Sequence, residues 1–244
     1  MKNKIINLKK IKNEIELQST ELKTLPKGHL NKKSKYYYHD INRKSAGISK
    51  NKVLIKLLCR KKYILARLEQ LERNLSGAIV DFDHTLPKDL IKSFSKTYQE
   101  IPISYFYHPL IDVWLKEEVE SNSYPIKNGF RTSYKKVFVR SKSEQIIGSL
   151  LEEYGIVYRY DALLMLGSKS RYPDFIIKNP FTGKEIIWEH FGPLHLTKYE
   201  ESMHEKMNLY LQQGYIPNDT IIFTFEIDIS IEHRLADIIE NILF

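Results

Sequence analysis

Two carboxylates bracket a short hydrophobic stretch: Asp174 stands near the start and Glu189 near the end of the segment Arg171–Gly192, RYPDFIIKNPFTGKEIIWEHFG. β-Branched and aromatic runs flank Asn179-Pro180 and Thr182-Gly183, so the segment reads as two strands, Tyr172–Lys178 and Glu185–Phe191, joined by a turn. Antiparallel pairing brings the two acids side by side. Adjacent carboxylates repel unless a cation lies between them, and hard oxygen donors suit Mg²⁺ or Mn²⁺ rather than zinc.

The elements around this hairpin must hold it. Downstream, on a helix from about 197 to 212, Tyr199, Met203, Lys206 and Tyr210 recur at i, i+4, i+7 and i+11 and share one face. A lysine in such a face needs an acidic partner, or it snorkels past the core edge to water. Upstream, Ser141 or Ser143 can cap a helix running to about Tyr154, with Ile146, Ile147, Leu150 and Leu151 turned inward. Glu144 falls in its first turn, where the helix dipole favours an acid. Strands are expected at Val157–Asp161 and Thr220–Glu226, and a helix over 229–242 closes the chain.

Pro173-Asp174, a spacer, and Glu189 within the hydrophobic strand Ile186-Ile187-Trp188 resemble the PD-(D/E)xK nucleases, the restriction-endonuclease-like superfamily. Arg-Ser-Lys-Ser-Glu at 140–144 extends the likeness over roughly the last hundred residues, and the string RSKSE, YPDF, WEHFG is similar to uncharacterised bacterial and phage-type proteins. The resemblance implies an α/β (α+β) fold with an αβββαβ core and hydrolysis of phosphodiester bonds in nucleic acid, DNA favoured over RNA. Asp174 and Glu189 would hold Mg²⁺ or Mn²⁺, Glu144 would join the site from the first helix, and the His190 backbone carbonyl would be a further ligand. Arg140 and Lys142 would hold phosphate or balance the acids; His195 and Tyr199 would touch the substrate backbone or pack. The pattern has one departure. A lysine should follow the second acid by two positions, and Phe191 stands there. Lys206 would replace it, as in variants of that superfamily; otherwise the protein is a nuclease-like fold that only binds DNA.

Residues 3–23 place Ile5, Leu8, Ile11, Ile15, Leu17 and Leu22 near one helical stripe, and residues 50–75 repeat the pattern with Val53, Leu57, Ile64, Leu68, Leu71 and Leu75. Between them lies a hairpin with Tyr36, Tyr37 and Tyr38 in one strand and a turn near Asp40-Ile41-Asn42. A coiled-coil arm, folded on itself or forming a homodimer seam, is expected over 1–76. Its basic tip makes Lys32, Lys33, Lys35, Tyr37, Arg43 and Lys44 candidates for nucleic-acid contact, since lysines neutralise phosphates and tyrosines stack on bases or pack the hairpin.

A helical connecting region is expected over 77–130, before a nuclease-like domain over 131–244. It contains AIVDFDHTL at 78–86, which reproduces the DxDxT signature of haloacid-dehalogenase phosphatases, with Asp81 as nucleophile and Asp83 as acid/base. The chain contains no GD or DD pair to complete that site. The plainer reading is a helix start, capped by Asp83 or Thr85, with Pro87 in the first turn and a helix over 88–98.

The 244 residues are 42% hydrophobic, enough for a core, and a net charge of +8 with a pI near 9.2 favours a polyanionic partner. One cysteine, Cys59, excludes intrachain disulfides. No run of 18 apolar residues occurs. An intracellular, cytoplasmic protein with no membrane partner is expected. A basic arm on a nuclease core is compatible with phage defence alongside a protein partner, with mobile-element biology, or with repair.

Overall fold

The computed structural model describes the backbone of residues 2–76, 85–192 and 197–243, and side chains over 8–76, 85–192 and 200–241. Asp81, Asp83, His195 and the side chain of Tyr199 lie outside the described residues. The protein is mixed α and β, and it divides into two compact units, Met1–His108 and Pro109–Phe244.

The first unit is built around a long helix. In order it contains α1 (Lys2–Leu22), strands β1 (His29–Lys33), β2 (Tyr36–Ile41) and β3 (Lys44–Gly47), α2 (Lys52–Ser76), α3 (Pro87–Lys92), α4 (Lys96–Gln99) and a 3-10 turn, Ile103–Phe106. The seam between α1 and α2 is more polar than the apolar stripes suggested. Ile11 is buried, but so is Gln18, whereas Leu8, Leu17 and Val53 are exposed. Arg67 Nε meets Glu14 Oε1 at 2.8 Å, and Arg60 NH2 meets Glu21 Oε2 at 2.7 Å. Arg60 is buried and also donates to the Phe106 carbonyl. Its cost of burial is offset by having both an ion partner and a carbonyl. Rather than standing out as an arm, α2 is enclosed along much of its length, with α3 and the 3-10 turn against it and Phe94, Tyr98 and Phe106 clustered there.

The helix expected over 88–98 is two short helices, because Ser93–Ser95 leave the helical path between them. Pro87 occupies the first turn as expected, but the N-cap is Leu86 and no side chain caps it. The single hairpin is instead a three-stranded antiparallel meander, β1-β2-β3. Asn42 and Arg43 both adopt positive φ, 48° and 62°, the type I′ geometry that matches strand twist. Lys61 Nζ anchors the entry to the sheet, donating to the carbonyls of Pro26 and Gly28 at 2.9 Å.

The second unit is a four-stranded sheet with helices on both faces. It contains α5 (Leu110–Trp114), β4 (Phe130–Arg131), β5 (Phe138–Val139), α6 (Lys142–Glu153), β6 (Val157–Tyr160), β7 (Leu164–Leu166), β8 (Lys169–Arg171), β9 (Phe175–Lys178), β10 (Glu185–Phe191), α7 (Thr197–Gln212), β11 (Ile221–Phe225), α8 (Glu226–Ser230) and α9 (Arg234–Leu243). The sheet order is β11-β10-β9-β6; β6, β9 and β10 pair antiparallel, and β10 and β11 parallel. A small hairpin, β7-β8, interrupts the path from β6 to β9. In the part of the expected helical region 77–130 that falls in this unit, the one helix is the short α5.

Period-two alternation divides the core. Phe175, Ile177, Ile186, Trp188 and Ile222 face Ile147 and Leu151 of α6 and Leu235 and Ile239 of α9. Ile176, Ile187 and Ile221 face Tyr210 of α7 and Trp114 of α5. The parity that puts Ile176 and Ile187 on the α7 side also puts Asp174 and Glu189 there.

Candidate active site

The hairpin expected around the two acids forms with a shorter first strand: β9 begins at Phe175, so Asp174 sits at the strand's mouth. The register pairs Trp188 with Phe175, so the position facing His190 is Pro173. Proline has no N–H, and the ladder stops. Pro173 thus gives no donor to the His190 carbonyl, while the Asp174 carboxylate takes the His190 backbone N–H, its Oδ2 accepting at 2.6 Å. In a strand a residue's N–H and C=O point to the same side, so the His190 carbonyl also faces this mouth.

Glu189 is fully buried in β10. Its Oε2 receives Lys206 Nζ at 2.6 Å and its Oε1 receives the Tyr210 hydroxyl at 2.5 Å, both from α7. The face-sharing pattern on that helix thus delivers Lys206 to the acid. Tyr210, expected only to pack, is the residue of this site that sequence reasoning missed, although it lay in the same i, i+4 series. Burial raises the Glu189 carboxyl above its usual range, while the Lys206 charge opposes the rise. Burial, then the Glu189 charge, push Asp174 well above the ordinary range, with Glu144 adding to the push and Lys206 opposing it.

Glu144 closes a capping box: Ser141 Oγ accepts the Glu144 N–H, and Glu144 Oε2 accepts the Ser141 N–H. The same oxygen accepts the Arg140 N–H at 2.9 Å and the Tyr160 hydroxyl at 2.7 Å. Glu144 therefore anchors its helix as well as standing within electrostatic reach of Asp174.

Several expected contacts fall elsewhere. Arg140 does not reach toward solvent: its NH2 pairs with Asp161 at 2.6 Å, it donates to the Tyr124 carbonyl, and it lies over the Tyr124 ring. Lys142 is exposed. In the first unit Lys32 pairs with Glu100 and Tyr37 shares its side of the sheet; Lys44, opposite Ile41, is on that side too, whereas Lys33 is on the other side and Lys35 and Arg43 are in turns. Phe191 is buried between the rings of Phe223 and Phe225, at 5.9 and 5.6 Å.

The His190 side chain is on the opposite face from Glu189. Its Nδ1 lies 3.1 Å from Thr224 Oγ1 and its Nε2 3.1 Å from Glu226 Oε1, which also accepts from Ser143 Oγ. The imidazole thus fixes the end of β10 and leaves its backbone at the mouth.

Among the described residues no group of three or more histidine, cysteine, aspartate or glutamate side chains converges in a way that could hold a metal ion. The mouth nonetheless offers Asp174, Glu189 and the His190 carbonyl, a set composed of oxygens, with one buried and one half-buried acid opposed by one lysine. Glu189 accepts from Lys206, Tyr210 and the Asp174 backbone N–H, which leaves one of its four lone pairs for an ion. The donor chemistry and the excess of two acids over one lysine fit a divalent ion such as Mg²⁺ or Mn²⁺.

No protein-family profile matches the chain, and no solved structure matches it. A stretch of 78 residues is 36% identical to an uncharacterized protein of Methanocaldococcus jannaschii, covering 32% of this chain and 6% of that protein. No described helix is long and apolar enough to cross a membrane.

Proposed function

We propose that the second unit is a metal-dependent nuclease of the PD-(D/E)xK type, cutting phosphodiester bonds of nucleic acid, DNA before RNA. The succession α6, β6, β9, β10, α7, β11 supports a restriction-endonuclease-like core, with β7-β8 as an insertion. The observation that carries the reading is the Lys206–Glu189 ion pair. It supplies the cation that the strand cannot, since Phe191 is enclosed by two phenylalanines.

In this reading Asp174, Glu189 and the His190 carbonyl hold Mg²⁺ or Mn²⁺, with Glu144 behind Asp174. When bound, such an ion supplies a water of lowered pKa and neutralises charge at the scissile phosphate. Tyr210 and Lys206 orient the Glu189 carboxylate, and the Lys206 charge stabilises the anionic transition state from the α7 side. The His190 N–H orients Asp174.

The test is cleavage of plasmid and oligonucleotide substrates in Mg²⁺ or Mn²⁺ against EDTA, with Asp174→Ala and Lys206→Met alongside. Metal-dependent cutting lost in Asp174→Ala is expected. Cutting that survives Asp174→Ala, or no cutting with either metal, would overturn the reading. One observation favours a second reading, a nuclease-like fold that only binds: both Glu189 oxygens are engaged by protein donors, as in a structural ion pair. Binding without cleavage, equal in Asp174→Ala, is its signature.

A further inference from the structure

The sheet of the first unit has an outer face that the candidate active site does not use. Alternation along β2 turns Tyr37 and His39 toward the side of buried Leu30 and of Lys32, which is tied to Glu100. Tyr36 and Tyr38 take the other side, opposite Lys33 and Asn31. Tyr36 is half exposed, and Tyr38 pairs with Gly47, which has no side chain to cover it.

Cations surround these two rings. Lys33 Nζ lies 5.2 Å from the Tyr38 ring centre and Lys35 Nζ 5.5 Å from that of Tyr36. Arg43 and Lys44 line a cleft of about 460 Å³ at the edge of the same sheet, with Lys27, His29 and Lys33. Between residues 27 and 50 there are seven lysines and arginines and one acid, Asp40. That acid is already held by Asn31 Nδ2 at 2.8 Å and Ser45 Oγ at 2.5 Å, and His29 stands near it. The net field of the face is therefore positive, which complements a polyanion.

We propose that this outer face binds single-stranded nucleic acid, with Tyr36 and Tyr38 stacking on bases and Lys33, Lys35 and Arg43 on phosphates. Two residues apart on one strand, the rings are spaced by about 6.6 Å. An unstacked strand reaches that spacing, whereas successive bases in a duplex stand about 3.4 Å apart with their faces covered. Stacking of splayed bases on sheet-borne aromatics tolerates any sequence, because every base has a π-face. The lysine heads over the rings do not block it: at an exposed site that contact is weak, and a long side chain swings to a phosphate.

The inference does not rest on the hydrolytic reading, so its test is done in EDTA, where cleavage plays no part. Fluorescence anisotropy of the full chain with labelled oligothymidylate, and with a duplex of equal length, reads the affinity. Tighter binding of the single strand is expected. Tyr36→Ala and Tyr38→Ala should each weaken it about tenfold, the order expected for one stacked base. Tyr36→Phe and Tyr38→Phe should keep wild-type affinity, and so should Tyr37→Phe. Lys33→Ala should reduce the slope of log affinity against log salt by about 0.7. Duplex bound as tightly as single strand, alanine variants that bind like wild type, or no binding of either oligonucleotide would each overturn the proposal.

Discussion

Lys206 Nζ stands 2.6 Å from Glu189 Oε2, joining α7 to the middle of β10 across the face of the sheet. Removing the lysine leaves a buried carboxylate supported by the Tyr210 hydroxyl and the Asp174 backbone N–H. Lys206→Met should therefore destabilise the second unit by about 2 kcal/mol in urea unfolding, less than for a fully enclosed pair because the lysine head is partly exposed. Cleavage should fall by at least about a hundredfold.

Moving the charge to the strand should not rescue it. Phe191→Lys would drive an ammonium between Phe223 and Phe225, on the face of Glu189 but enclosed by the two rings. A loss of about 3 kcal/mol is expected. The double variant Lys206→Met with Phe191→Lys should be as inactive as Lys206→Met alone; recovered cutting would show that the strand position can serve.

Asp174 is a carboxyl whose pKa is raised in the fold, by burial first and by Glu189 second. The folded state thus holds this proton more tightly than the unfolded chain. The resulting penalty is absent below the unfolded value of about 4 and grows as pH rises toward and through the folded value. Asp174→Asn should raise thermal stability by about 1 kcal/mol at neutral pH and by almost nothing near pH 3. Melting curves of both proteins at the two pH values check the sign.

Glu152 behaves in the opposite sense. Burial pushes its carboxyl up, but hydrogen bonds from Tyr158, Thr132 and the backbone of Lys135 and Tyr134 outweigh this and hold it below the ordinary range. Its contribution is full above about pH 4.3 and is lost as pH falls through the lowered value. Glu152→Gln should cost about 1–3 kcal/mol at neutral pH, with the gap to wild type closing in acid. Urea titrations across that range would read it.

The hairpin carrying the two acids was legible because β-branched strands, a turn and acids of matching parity all sit within one short segment. The Lys206 face was legible from helical spacing, although its target was not. Arg140 gave no sign that it would turn to Asp161, twenty-one residues on, since that meeting depends on where β6 ends. Choosing Tyr37 over Tyr36 and Tyr38 required knowing which side of the meander is covered, and three tyrosines in a row carry no parity. The turn at Ser34-Lys35 lacks the Asn-Gly signal, so two hairpins were read as one. Helix α1 misled because its seam seats Glu14, Gln18 and Glu21 where an apolar stripe was sought.

That seam has a consequence for how the first unit assembles. A stripe of leucines can slide along its neighbour by a turn and still bury the same oil. The carboxylates of Glu14 and Glu21 must each find one guanidinium, and a one-turn slip would strand both charges in the interior. The helix pair is keyed like a lock with two pins, so it has one register, and the same stripe cannot be lent to a second chain until both pins are withdrawn.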